Sequence, residues 1–123
     1  MRSFTVRWMF GVAAIAVVAL VPPASARTET QAARTTTIQV AAKEFSLTLS
    51  TRSIAKPGTV RFNVKNVGKM EHDFRINGKQ TPLIRPGRTS TLVVTFKKKG
   101  KYHYLCTVPG HAAAGMKGIL TVR

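Results

Sequence analysis

The chain has 123 residues, of which 20 are lysine or arginine and four are aspartate or glutamate, giving a formal charge of +16. Its one cysteine rules out a framework of internal disulfides, and its length allows one modest core rather than two. So basic a surface promotes solubility and speeds association with anionic partners, whatever the fold beneath it.

The first 26 residues, MRSFTVRWMFGVAAIAVVALVPPASA, have the three parts of a secretory signal. Arg2 and Arg7 make a positive start, residues 8–21 are apolar, and Ala24-Ser25-Ala26 offers a small-residue cleavage site. An apolar run of 14 residues is short of the roughly 20 that a helix needs to cross a bilayer. Removal of residues 1–26 is therefore expected, in preference to an uncleaved anchor, and with it an exported protein, periplasmic or extracellular. The 97 residues left carry a formal charge of +14, because Arg2 and Arg7 go with the signal. Residues 27–36, RTETQAARTT, are polar and patternless. They read as a flexible leader to a domain at 37–123.

From there the apolar residues alternate. Ile38, Val40 and Ala42 share one side, as do Phe45, Leu47 and Leu49. Val60, Phe62 and Val64 alternate with Arg61, Asn63 and Lys65. Leu92, Val94 and Phe96 alternate with Val93 and Thr95. Each run predicts a strand with one face toward a core. Pro57-Gly58, Val67-Gly68, Asn77-Gly78, Pro86-Gly87 and Pro109-Gly110 supply turns between them. Some seven to eight short strands punctuated in this way predict an all-β fold, an antiparallel sandwich. After the signal no segment holds a 3.6-residue apolar period for three turns, and residues 112–115 make at most one turn.

The same alternation sorts the histidines. His72 shares its side with Phe74 and Ile76 and is expected to point inward, with Asp73 and Arg75 facing the other way. In KYHYLC, Cys106 goes with Tyr104 and Tyr102, while His103 goes with Lys101 on the opposite face. An inward histidine, an inward cysteine and the loop CTVPGHAAAGM, in which Cys106, His111 and Met116 recur every five residues, make a ligand set of mixed softness. Thiolate and thioether are soft donors and imidazole is borderline, which suits copper better than magnesium or calcium. Two imidazoles and a thiolate around copper, with a weak thioether, serve both of its oxidation states. Alone, each residue has a plainer reading: Cys106 as a buried structural thiol, His72 as a hydrogen-bonded core histidine, His111 as a solvated loop residue, Met116 as loop packing. A solitary thiol in an exported chain and a methionine between glycines favour ligation. Met70 is a rival thioether with no spacing to recommend it.

The loop YLCTVPGHAAAGMKG and the upstream EHDF resemble those of type 1 blue copper proteins, the cupredoxins. The likeness spans nearly all of the domain, is greatest to small secreted plastocyanin/azurin-like domains, and in loop spacing follows auracyanins and rusticyanins. It implies a Greek-key β-sandwich and one type 1 copper ion on His72, Cys106, His111 and an axial Met116. It also implies that Asp73, where the family generally has asparagine or serine, partners Thr107 and ties two ligand loops together. An aspartate there is expected to accept the Thr107 hydroxyl proton and, through its charge, to favour Cu(II).

The collar of His111, with Pro109, Ala112, Ala113 and Ala114, is small and uncharged and is expected to dock larger redox proteins close to an exposed histidine edge. The basic remainder, including Lys97-Lys98-Lys99, is expected to steer the chain toward acidic partners. The function expected is one-electron transfer by a monomer. Copper storage, delivery or resistance is the alternative. A cysteine hydrolase is disfavoured, because His103 faces away from Cys106. A copper oxidase or reductase would need a second copper site, for which three histidines are too few. Zinc fits the same ligands but has no redox chemistry, and no nucleic-acid recognition motif accompanies the charge.

Overall fold

A period of two residues demands sheets with one face turned inward, and the alternating runs supply them. A computed structural model describes residues 11, 13–19 and 35–123. The chain divides into two compact units, Met1–Thr30 and Gln31–Arg123. In the first, the described residues form neither helix nor strand, and the expected cleavage site lies outside the described residues, as does the leader up to residue 34. Among the described residues no helix is long and apolar enough to cross a membrane.

Among its described residues the second unit holds nine strands: β1 (Thr36–Lys43), β2 (Ser46–Leu49), β3 (Ser53–Ile54), β4 (Gly58–Asn66), β5 (Arg75–Ile76), β6 (Lys79–Gln80), β7 (Thr89–Phe96), β8 (Gly100–Leu105) and β9 (Lys117–Val122). They form a four-stranded sheet in the order β2-β1-β4-β7 and a five-stranded sheet in the order β3-β9-β8-β5-β6. The count exceeds the seven to eight expected because three strands are only two residues long. The sheets are mixed rather than purely antiparallel: β1 pairs with β4, and β3 with β9, in parallel. Between β2 and β4 the chain visits the other sheet as β3, and it returns running in the direction of β1.

Ile38, Val40 and Ala42 of β1, Val60, Phe62 and Val64 of β4, and Val94 and Phe96 of β7 are all buried from one sheet. Ile76, Tyr104, Leu120 and Val122 meet them from the other. Aromatic rings join the layers. Phe62 packs on Phe74 at 5.0 Å between ring centres and edge-on to Phe96 at 6.3 Å, and Phe74 reaches Tyr104 at 5.7 Å. Burying a side chain of this size contributes about 1.5–3 kcal/mol, so Phe74 anchors the stretch that carries His72. The expected alternation fails at Phe45. It lies in the two-residue turn between β1 and β2, where Lys43 pairs with Ser46, and it is 45% exposed rather than inward.

Candidate metal centre

Three segments converge at one end of the sandwich. The first carries His72, which bridges to Ile84 through reciprocal backbone hydrogen bonds and is held to the core two residues later by Phe74. The second is the end of β8, which delivers Cys106 on the inward side after Tyr104. The third is the loop of residues 107–116. The Cys106 N–H donates to the Met116 carbonyl at 3.0 Å, extending the β8–β9 ladder by one step and laying Met116 beside Cys106. The loop closes on itself as Met116 N–H donates to His111 O and Ala114 N–H to Gly110 O, both at 3.1 Å. Gly115 is required in this loop. Its φ of +125° suits glycine, and a Cβ there would come 2.9 Å from the Phe45 carbonyl oxygen.

The donor atoms meet in the interior. His72 Nδ1 and His111 Nδ1 are 3.1 Å apart, Cys106 Sγ is 3.7 Å from His111 Nδ1, and all three atoms lie within 4.8 Å of one another. A first-row ion bound at about 2.0 Å to nitrogen and about 2.3 Å to sulfur keeps its donors roughly 3–4 Å apart. Both measured pairs have that spacing, so the residues fit a metal ion. His72, Cys106, His111 and Met116 are all buried. Burial pushes the Cys106 thiol up, against the lowering effect of nearby backbone N–H groups. A positive ion is what would make thiolate the favoured form here.

Hydrogen bonds lock the segments together. Asp73 accepts the Thr107 N–H at 2.5 Å and the Thr107 hydroxyl, and Gln80 Nε2 donates to both Asp73 Oδ2 at 3.0 Å and Thr107 Oγ1 at 3.2 Å. Asp73 is thus buried and not outward as alternation predicts. Residues 71–74 lie outside regular strand, so the period of two does not govern them. His111 departs from expectation as well: it is only 4% exposed, because the Phe45 ring stands edge-on to it at 5.4 Å. Met116 is fully buried. Pro109, Ala113 and Ala114 are exposed and Ala112 is half-buried; His103 is exposed on the outer face, and Met70 is exposed too.

Alternation and spacing missed three side chains. The Glu44 carboxylate takes N–H groups from Lys69 at 2.7 Å and Met70 at 2.6 Å, and His72 Nε2 at 3.0 Å. The Met70 N–H foremost, with those further donors, holds the Glu44 carboxyl down at about 2. Asn66, fully buried, donates to Met70 O at 2.7 Å and Ile84 O at 2.8 Å and accepts Gly68 N–H at 2.9 Å. Gln80 is the third. For Glu44 the available signal was scarcity: it is one of only four acidic residues in the chain.

A β-sandwich that gathers two imidazoles and a thiolate in its interior defines a copper protein of the cupredoxin class. The chain belongs to the plastocyanin/azurin family of copper binding proteins, whose family model matches residues 32–123. Copper is the cofactor, and the His72, Cys106 and His111 cluster fits a type 1 site. The chain is similar to the copper-resistant cuproprotein CopI of Vibrio cholerae, 31% identical over a 78-residue alignment, with 46% of this chain and 46% of that one covered. It thus spans less than half the length of that relative. Its fold is similar to that of dithionite-reduced auracyanin from Roseiflexus castenholzii, with a TM-score of 0.63 and 23% identity over 72% of this chain and 98% of that one. It is similar also to copper nitrite reductase from Nitrosomonas europaea, with a TM-score of 0.58 and 19% identity over 72% of this chain and 41% of that one.

Proposed function

We propose that residues 37–123 form an exported one-electron carrier, released from a signal at residues 1–26 and a leader at 27–36. In this reading His72 Nδ1, Cys106 Sγ and His111 Nδ1 would hold a single copper ion, with the Met116 thioether as a further, weak donor. Bound copper supplies reversible Cu(I)/Cu(II) chemistry. The observation that carries the reading is the buried meeting of His72, Cys106 and His111 on three segments cross-tied by Asp73, Asn66 and the β8–β9 ladder. A frame held in place by hydrogen bonds rearranges little when the charge inside it changes, which favours fast electron transfer. Burial excludes water from the thiolate and protects it from oxidation.

Docking is assigned to the end that bears Pro109, Ala112, Ala113 and Ala114, joined by the exposed Phe45 ring, which lies between His111 and solvent. Larger redox proteins with acidic surfaces are the expected donor and acceptor. The chain is expected to act as a monomer and to catalyse no reaction of its own. Two of its three histidines are committed to the centre, and His103 stands alone on the outer face.

Copper resistance, storage or delivery is the second reading, favoured by the likeness to copper-resistant CopI. The visible and electron-paramagnetic-resonance spectra of the copper-loaded protein test both, with Cys106→Ser as control. A carrier shows intense thiolate-to-Cu(II) absorption that bleaches with reductant, returns with oxidant, and is lost in Cys106→Ser. A protein that stays colourless under oxidant, or sheds its copper on each reduction, is not a carrier.

A further inference from the structure

We infer that Glu44 is a positioning residue for the metal centre, fixing His72 in the tautomer that aims the Nδ1 lone pair at Cys106 and His111 and biasing the centre toward Cu(II). The inference rests on the ligand set just proposed and deepens it.

The chemistry of the pair dictates the tautomer. An ionised carboxylate can only accept hydrogen bonds, so at 3.0 Å from Glu44 Oε1 the proton of a neutral His72 ring resides on Nε2. Nδ1 is then a bare lone pair, and it is Nδ1 that lies 3.1 Å from His111 Nδ1. The other tautomer would leave a carboxylate facing an imidazole lone pair and put a proton where a metal ion must bind. Outer partners of this kind orient metal-binding histidines and raise their basicity.

Glu44 can do this because its own place is over-determined. It occupies the tight turn between β1 and β2, where the Lys43–Ser46 pairing leaves two residues to reverse the chain. Its Oε1 also accepts the Lys69 and Met70 N–H groups. Gly68 admits the carboxylate: a Cβ there would come 2.5 Å from Oε1. The same turn sets Phe45 against the His111 ring, so neighbouring residues support both imidazoles.

The charge is as specific as the geometry. Glu71, one residue before His72, faces Arg85 at 3.9 Å in solvent. Asp73 turns its oxygens to Thr107 and Gln80. Among the described residues no lysine or arginine forms an ion pair with Glu44, whose contact is with His72. Negative charge delivered through a ligand's ring stabilises the more positive oxidation state.

The test compares copper-loaded wild type with Glu44→Gln, Glu44→Ala and Glu71→Gln, each first checked for folding by the melting of its apoprotein. Glu44→Gln keeps the shape and an acceptor oxygen but loses the charge. It is expected to lower the ratio of Cu(II) to Cu(I) affinity about tenfold, a rise in midpoint potential of about 59 mV. Glu71→Gln removes the same charge without the contact and is expected to move the potential less. Glu44→Ala is expected to weaken copper binding about 10–100-fold and to expose the His72 Nε2–H to fast exchange in the diamagnetic Cu(I) form. A Glu44→Gln potential equal to wild type, or matched by Glu71→Gln, overturns the electrostatic role. Tight binding with a protected Nε2–H in Glu44→Ala overturns the positioning role. Blue variants with unmoved potentials defeat only this inference, whereas a wild-type protein that never turns blue defeats the carrier reading beneath it.

Discussion

At the metal end of the sandwich the buried polar side chains Asn66, His72, Asp73, Thr81 and His111 each bond to another segment; at the far end Lys97, Lys98, Lys99 and Lys101 stand in water. Among the described residues no buried side-chain nitrogen or oxygen lacks a partner. Leaving one unpaired would cost about 1–3 kcal/mol, so a cluster of five is stable only if every partner is supplied. The loops at the metal end are consequently specified nearly residue by residue. The lysine end is constrained mainly by β7 and β8, which it joins.

The sharpest way to break this contrast is to cut the metal end from the core. Phe74→Ala removes the ring that joins Phe62 to Tyr104 beneath His72. Chemical denaturation of the apoprotein should register a loss of about 3–5 kcal/mol, with copper binding weakened in parallel. Asn66→Ala comes next. It strips partners from the Met70 and Ile84 carbonyls and the Gly68 N–H at once, and should cost about 2–3 kcal/mol. Because Gly68 and Met70 also frame Glu44, this variant should perturb the copper spectrum although Asn66 touches no ligand. An unchanged spectrum would show that the two networks are independent.

Much of the contrast was legible in the residues. The long strands announced themselves because β1, β4 and β7 each have one face in water and one in the core, the condition under which a period of two appears. Cys106, His111 and Met116 were readable together because eleven consecutive residues hold them all, and His72 because its neighbours Phe74 and Ile76 are core. The braces were not readable. Glu44 meets Met70 and His72 across 26 and 28 positions, and no local pattern records a contact made by folding at that range. Alternation misplaced Asp73 and Phe45 for a related reason: one lies in irregular chain and the other in a turn.

Asp73→Asn tests a finer point within the metal end. Asparagine can still accept one of the Thr107 bonds, so the loss of stability should be near 1 kcal/mol. Loss of the charge should raise the reduction potential. Since Asp73 contacts Thr107 and not a histidine, the rise should be smaller than that of Glu44→Gln. Voltammetry of both variants in one buffer decides the order, and the reverse order would make Asp73 the stronger influence.

The smallest structural effect belongs to the far end, where Lys97, Lys98 and Lys99 can be changed together to glutamate. Lys101 lies five residues along β8 from Cys106, about 17 Å at 3.3 Å per residue, and the three lysines precede it. That separation exceeds the Debye length of about 8 Å at physiological ionic strength. The visible spectrum and the potential should therefore stay at wild-type values, and stability should change by no more than about 0.5 kcal/mol per substitution. Association is a different matter, because the summed field of the surface acts over the whole approach. Electron transfer to an acidic redox protein should slow at low salt and converge with wild type as salt is added. Rates equal at every ionic strength would assign the steering to the remaining basic residues. A shifted potential would show that the two ends are coupled through the sheets.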